Sequence, residues 1–122
     1  MTTEFEDQKE LIQYFRDNWP MLARSIRLSM NGISLGGGRH AAMIINQMKS
    51  QGMVKAEADL FFAIPRGPYH GLFIEMKAAG KHATQDQLDY LEYQRFNGYK
   101  AAVCYLDEAK KLLTEYIELV NE

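Results

Sequence analysis

"DLFFAIPRGPYHGLFIEMK", residues 59–77, reads as two short strands around a joint rich in Pro and Gly. "DLFFAI" (59–64) and "LFIEMK" (72–77) are the strand candidates. Side chains alternate along a strand. Leu72, Ile74 and Met76 therefore share one face, and Phe73, Glu75 and Lys77 share the other. If the loop 65–71 is symmetric about Pro68, Asp59 falls opposite Lys77 and Phe61 opposite Glu75. Asp59 and Glu75 then become diagonal neighbours on one face, roughly 7–8 Å apart at the backbone. A slip of one residue would send Asp59 to the other face.

Two readings fit this placement. One is a structural salt bridge between Asp59 and Lys77. The other is a cation seat made by Asp59 and Glu75, with Lys77 beside it. Half-burying two carboxylates and a lysine together is costly unless a cation compensates. Oxygen ligands suit a hard ion such as Mg²⁺ or Mn²⁺. His40, His70 and His82 show no metal-ligand spacing and read as surface residues.

Outward from the hairpin, the periodicity predicts α-β-α-β-β-α-β-α. Phe5, Leu11, Ile12, Phe15 and Trp19 make an opening helix that Pro20 stops. "RSIRLSM" alternates as a strand, and Asn31-Gly32 signals a turn. The glycines of "LGGGRH" lead into a helix with Ala41, Ile44, Ile45 and Met48 on its apolar face and Gly52 at its end. They lack the companions of a phosphate-binding motif and read as a plain loop. Residues 84–98 form a helix capped by Thr84 and stopped by Gly98, and 99–106 a buried strand. Residues 107–120 form a last helix capped by Asp107, with Leu112, Leu113, Tyr116, Ile117 and Val120 inward. The fold class is α/β, a mixed sheet flanked by helices.

The 122 residues suit one domain, 1–122. No run of eighteen apolar residues appears, the opening decapeptide is acidic, and the single Cys104 lies in an apolar stretch. A cytoplasmic protein without a membrane span or internal disulfide is expected. Net charge is -2, but it is unevenly spread. From Arg24 to Lys81, eight basic residues face three acidic ones, a balance of +5 against -7 in the flanks. Scattered solvated charge and a basic nucleic-acid surface both remain open readings.

Asp59, followed sixteen to eighteen residues later by Glu75-Met76-Lys77, resembles the Asp…Glu-x-Lys signature of the PD-(D/E)xK nucleases. The run from Ala58 to Leu106, with its Thr84-x-x-Gln87 helix and its Gly98 before a strand, resembles the VRR-NUC domain. So do the early "EFEDQKELIQYF" and the "NG…GGGR" stretch, so the likeness covers nearly the whole chain. Glu57-Ala58-Asp59 departs from the family's usual Gly-x-Pro-Asp, and Glu57 adds a carboxylate on Asp59's face if the strand begins that early.

The resemblance implies a restriction-endonuclease-like core and Mg²⁺- or Mn²⁺-dependent endonucleolytic hydrolysis of DNA phosphodiesters. It implies a metal on Asp59, Glu75 and the Met76 carbonyl, with Lys77 orienting water and neutralising charge. Gln87 matches the family's glutamine beside the metal, although Thr84 and Gln87 also make a capping box. Glu6 matches the first-helix glutamate, with Glu4 a rival on the same turn and Thr3-x-x-Glu6 again a capping box. Arg24, Arg27, Arg39, Lys49, Lys55 and Lys81 are candidates for the phosphate backbone, and such contacts bind without reading sequence. Stand-alone phage members resemble junction resolvases, which implies a homodimer acting on branched or four-way (Holliday) junction DNA. Trp19, Met21, Leu22, Met43, Met48 and Met53 are candidates for the dimer interface or for the core. A non-catalytic DNA-binding replication or repair module on the same fold is the rival reading.

Overall fold

The computed structural model describes residues 2–29 and 37–120. Met30, the Asn31-Gly32 turn and the start of the glycine loop lie outside the described residues.

Helix α1 spans Glu4–Asn18. Thr3 caps it, its hydroxyl accepting the Glu6 N–H at 3.1 Å. The acidic first turn, Glu4, Glu6 and Asp7, suits the positive end of the helix dipole. Leu11 and Phe15 are its fully buried anchors. Pro20 opens a 3-10 helix, Pro20–Ser25, so α1 stops as expected. Phe5 departs from the expected apolar face and is 75% exposed.

Four strands follow, β1 (Ile26–Leu28), β2 (Leu60–Phe62), β3 (Leu72–Met76) and β4 (Lys100–Cys104). They lie side by side in that order. β1–β2 and β2–β3 are antiparallel, and β3–β4 is parallel. A parallel neighbour requires a crossover. Helix α3, Gln85–Phe96, supplies it between β3 and β4. Helix α2, Gly38–Ser50, stands between β1 and β2, with Ala41 buried and Ile44, Ile45 and Met48 half-buried. Helix α4, Leu106–Ile117, closes the described chain. The element order is the expected one with a 3-10 helix added.

The two faces of the sheet carry different cores. Leu60, Phe62, Leu72, Ile74, Met76 and Cys104 pack with Leu11 and Phe15 of α1 and with Leu113, Tyr116 and Ile117 of α4. On the other face Phe73 and Ala101 pack with Leu91 of α3, joined by Phe61, Tyr90 and Tyr99. Phe62 is fully buried, and its ring meets that of Phe15 edge-on at 5.0 Å. Phe62→Ala is expected to cost about 3–5 kcal/mol, read from urea unfolding.

The hairpin register differs from the expected one. Leu60 pairs with Ile74, Phe61 with Phe73 and Phe62 with Leu72. The partners lie two positions from the symmetric-loop alignment. The turn is centred on Arg66–Tyr69, which bridge each other, with Gly67 at φ 52°. A two-residue shift preserves side-chain parity, so Asp59 keeps its face. Two details at the ends also differ. Asp107 lies inside α4, whose N-cap is Tyr105. Val120 is 75% exposed rather than inward.

Candidate metal centre

Asp59 sits one residue before β2 and Glu75 one residue before the end of β3. The hairpin thus delivers both to the same rim of the sheet. Asp59 is fixed there because its Oδ2 accepts the Met76 N–H at 2.9 Å. Met76 itself turns its side chain into the larger core. Lys77 follows directly, its N–H reaching the Cys104 carbonyl at 3.0 Å.

The third carboxylate is Glu4, from the first turn of α1. Glu4, Asp59 and Glu75 each offer an oxygen, and these oxygens lie within 4.8 Å of one another. Glu6, the sequence-based choice, is exposed and outside this cluster. Helix phase explains the difference. Glu4 precedes Leu11 and Phe15 by seven and eleven residues, which puts it on their stripe. Glu6 lies about 200° further round at about 100° per residue. Asp7 is a residue that the sequence did not single out. It is 5% exposed and accepts a hydrogen bond from the Thr2 hydroxyl, tying down the segment that carries Glu4.

Glu75 is 1% exposed. Its Oε2 faces the Lys77 ammonium at 3.5 Å and the Gln87 amide nitrogen at 3.4 Å. Of the two readings of this placement, the Asp59–Lys77 salt bridge is not the one seen among the described residues: Lys77 faces Glu75 instead. Gln87 caps its helix and touches Glu75 at once. Its Oε1 accepts the Thr84 N–H at 2.9 Å in a complete capping box, which turns Nε2 toward Glu75. Gln87→Ala is expected to lower stability by about 1 kcal/mol in a denaturant titration, the usual cost of a lost cap.

Glu75 Oε1 is buried without a hydrogen-bond partner. A buried, unpaired carboxylate oxygen is costly, and here two more acids crowd the same carboxylate. Burial pushes the Glu75 carboxyl up to about 8; the Asp59 charge and a hydrogen bond with Asp59 add to the rise, and Lys77 opposes it. Burial also raises Glu4, with Lys77 opposing and Asp59 and Asp7 adding. A hard divalent cation fits this set. All three donors are oxygens, they converge, and one has nothing else to bind.

A dependence on pH follows. Glu75 is raised above its ordinary 4.5, so the folded state holds its proton more tightly than the unfolded chain. That contribution is fully present below about pH 4.5 and is lost as pH rises toward 8. In EDTA, the melting temperature is expected to fall across this window. With a divalent ion present the fall should flatten, because binding favours the ionised carboxylates.

Glu57 does not join the cluster. Ala56 turns the chain at φ 61°, so β2 does not reach back to residue 57. Burial raises the Glu57 carboxyl, and a hydrogen bond with Ser29 opposes the rise. The six basic candidates are all exposed. Lys55 pairs with Asp86 of α3 at 3.1 Å, next to Gln87. Lys81 follows β3, and its carbonyl accepts the Tyr105 hydroxyl. Arg27 donates to the carbonyls of Arg24 and Ile26. Arg39 and Lys49 ride on α2. Of the interface candidates, Met21 and Met43 are exposed at 79% and 54%, whereas Trp19 and Leu22 pack on the core. His40, His70 and His82 are exposed as expected.

A solved structure described as a VRR_NUC domain protein superposes with TM-score 0.80 over 99% of this chain and 93% of that chain, at 27% identity. The chain has the fold of a VRR-NUC domain. A second structure, described as a VRR_NUC domain, matches with TM-score 0.50 over 94% of this chain and 99% of that chain, at 21% identity. No protein-family model and no curated protein matches the chain. The VRR-NUC fold is a nuclease-type fold, and here its hairpin rim holds the acidic cluster. Among the described residues, no helix is long and apolar enough to cross a membrane.

Proposed function

We propose that this VRR-NUC domain, residues 1–122, is a Mg²⁺- or Mn²⁺-dependent endodeoxyribonuclease. Its substrate is branched DNA, four-way junctions included, and it works in the cytoplasm as a homodimer whose two centres serve two strands. One observation carries the reading: a buried glutamate, one of its oxygens without a partner, clustered with two further acids beside a lysine.

Glu4, Asp59 and Glu75 would hold the ion, which supplies a polarised phosphoryl oxygen and a more acidic water. Asp59 is braced by the Met76 N–H and so keeps its oxygens at the rim. Gln87 and Lys77 brace Glu75 from the other side. The Lys77 ammonium is aimed at the same rim, where it orients water and offsets charge that builds on the phosphoryl oxygens. Arg24, Arg27, Arg39, Lys49, Lys55 and Lys81 are exposed cations for the sugar–phosphate backbone, a mode that binds shape rather than sequence.

The test is incubation of the protein with branched and linear DNA in Mg²⁺, in Mn²⁺ and in EDTA, beside Asp59→Asn. Nicking that needs the metal and is lost in the variant is the expected result. DNA that is bound but stays intact in both metals would overturn it in favour of a non-catalytic replication or repair module.

A further inference from the structure

Phe5 follows directly on Glu4, and its ring is 75% exposed. It heads a groove of about 260 Å³ between α1 and β1, lined by Phe5, Gln8, Lys9, Ile12, Arg16 and Leu28 among others. Helix phase puts Phe5, Lys9, Ile12 and Arg16 on one stripe, because they follow at four, three and four residues. Leu28, 57% exposed, forms the opposite wall. Among the described residues, neither Lys9 nor Arg16 has a carboxylate partner; the ion pairs lie at Lys55, Lys77, Arg95 and Lys110. The acids on the neighbouring flank of α1 are partly engaged, Glu10 by Lys110 and Asp17 by Gln13. The groove and the metal centre draw on neighbouring residues of the chain. Glu4 is the residue before Phe5, and the Ser29 N–H next to Leu28 donates to the Asp59 carbonyl at 2.8 Å.

An aromatic face, apolar walls and two unpaired cations beside a phosphodiesterase centre match one ligand chemistry. A base offers a π-face, and its flanking phosphates offer negative charge. A duplex hides its base faces in the stack, so the aromatic ring suits a base that is unpaired. Lys9 and Arg16 are seven residues apart, on the order of 10 Å along the helix axis, so they can serve different phosphates.

We propose that this groove receives an unpaired nucleotide of the DNA strand beside the carboxylate cluster, its base stacked on Phe5 and its flanking phosphates held by Lys9 and Arg16. The proposal rests on the nuclease reading of the neighbouring centre. It makes Phe5 the residue that separates branched or flapped substrates from fully paired ones.

The experiment uses the full chain and fluorescein-labelled flap, four-way junction and blunt duplex DNA in EDTA. Binding is read by anisotropy across a salt series. Phe5→Ala is expected to weaken flap and junction binding roughly tenfold while leaving blunt duplex binding unchanged, and Phe5→Tyr should restore it. Lys9→Ala with Arg16→Ala is expected to reduce the log–log salt slope by about two, whereas Lys111→Ala on α4 should leave it unchanged. A 5-iodouracil placed in the unpaired strand next to the cut should photocross-link to the peptide that contains Phe5. Each variant's melting temperature is measured, and the exposure of Phe5 predicts little change.

Wild-type cleavage combined with unchanged affinities and a cross-link elsewhere would overturn the groove and leave the nuclease reading standing. A Phe5→Glu variant that splits a self-associated species yet binds DNA as before would overturn it too, making the face a contact between copies. A wild type that neither binds nor cuts DNA removes the nuclease reading, and the groove falls with it.

Discussion

Glu75→Gln is expected to leave no metal-dependent cleavage and yet to be more stable than the parent protein in EDTA at pH 8. The carboxamide has the shape of the carboxylate without its charge. It removes a buried negative group that faces Asp59 and Glu4 and whose Oε1 has no partner. It also replaces a pure acceptor by a group with a donor, which Asp59 can use. Relief of a buried, uncompensated polar group is worth on the order of 1–3 kcal/mol. Urea unfolding in EDTA checks the sign. At pH 5 the gap should narrow, because the parent's Glu75, pushed up to about 8, is already protonated there. Mn²⁺ should raise the melting temperature of the parent and not of the variant. Equal stabilities at pH 8, or an equal metal response, would remove the cation seat.

Lys77→Met is expected to slow cleavage of bound DNA by a factor of about 10²–10³, the size of effect seen when one charge-stabilising donor is removed from a reaction centre. Methionine keeps an unbranched apolar stem, so packing at this mostly buried position is retained. The ammonium lies 3.5 Å from Glu75 Oε2, so its loss also acts on Glu75. Two measurements separate the roles. Single-turnover cleavage reports the reaction, and the metal-induced rise in melting temperature reports the seat. Slow cleavage with an intact metal response assigns Lys77 to the reaction. Loss of both would reduce Lys77 to a counter-charge for Glu75.

The parity of the hairpin was readable from residues 59–77 because alternation is a local property. Register was not. It depends on where the turn closes, and Gly67 with the Arg66–Tyr69 bridge sets that point. The face of Asp59 survived because the displacement was even. Glu4 and Glu6 illustrate a different limit. Both sit in the first turn after Thr3, and a capping pattern does not choose between them. The choice comes from the rotation of α1 on the sheet, which Leu11 and Phe15 fix by burial. Measuring the phase back from those two residues points to Glu4. For Gln87 the sequence offers a capping task and a place beside the acidic residues, without showing how one side chain could serve both. An amide has separate donor and acceptor ends, and the structure uses both. Glu57 reaches Asp59's face only in a chain extended from residue 57, which the turn at Ala56 interrupts.

The lone thiol of the chain offers a way to time all of these variants. Cys104 sits at the end of β4 opposite Met76, 4% exposed. Burial, helped by the nearby Glu108 charge, pushes its ionisation up to about 11. Reagents that attack thiolates therefore find it only when the sheet opens. The alkylation rate becomes a clock for opening at the strand that borders Glu75 and Lys77, with no probe added. A divalent ion that seats on the hairpin rim should slow that clock.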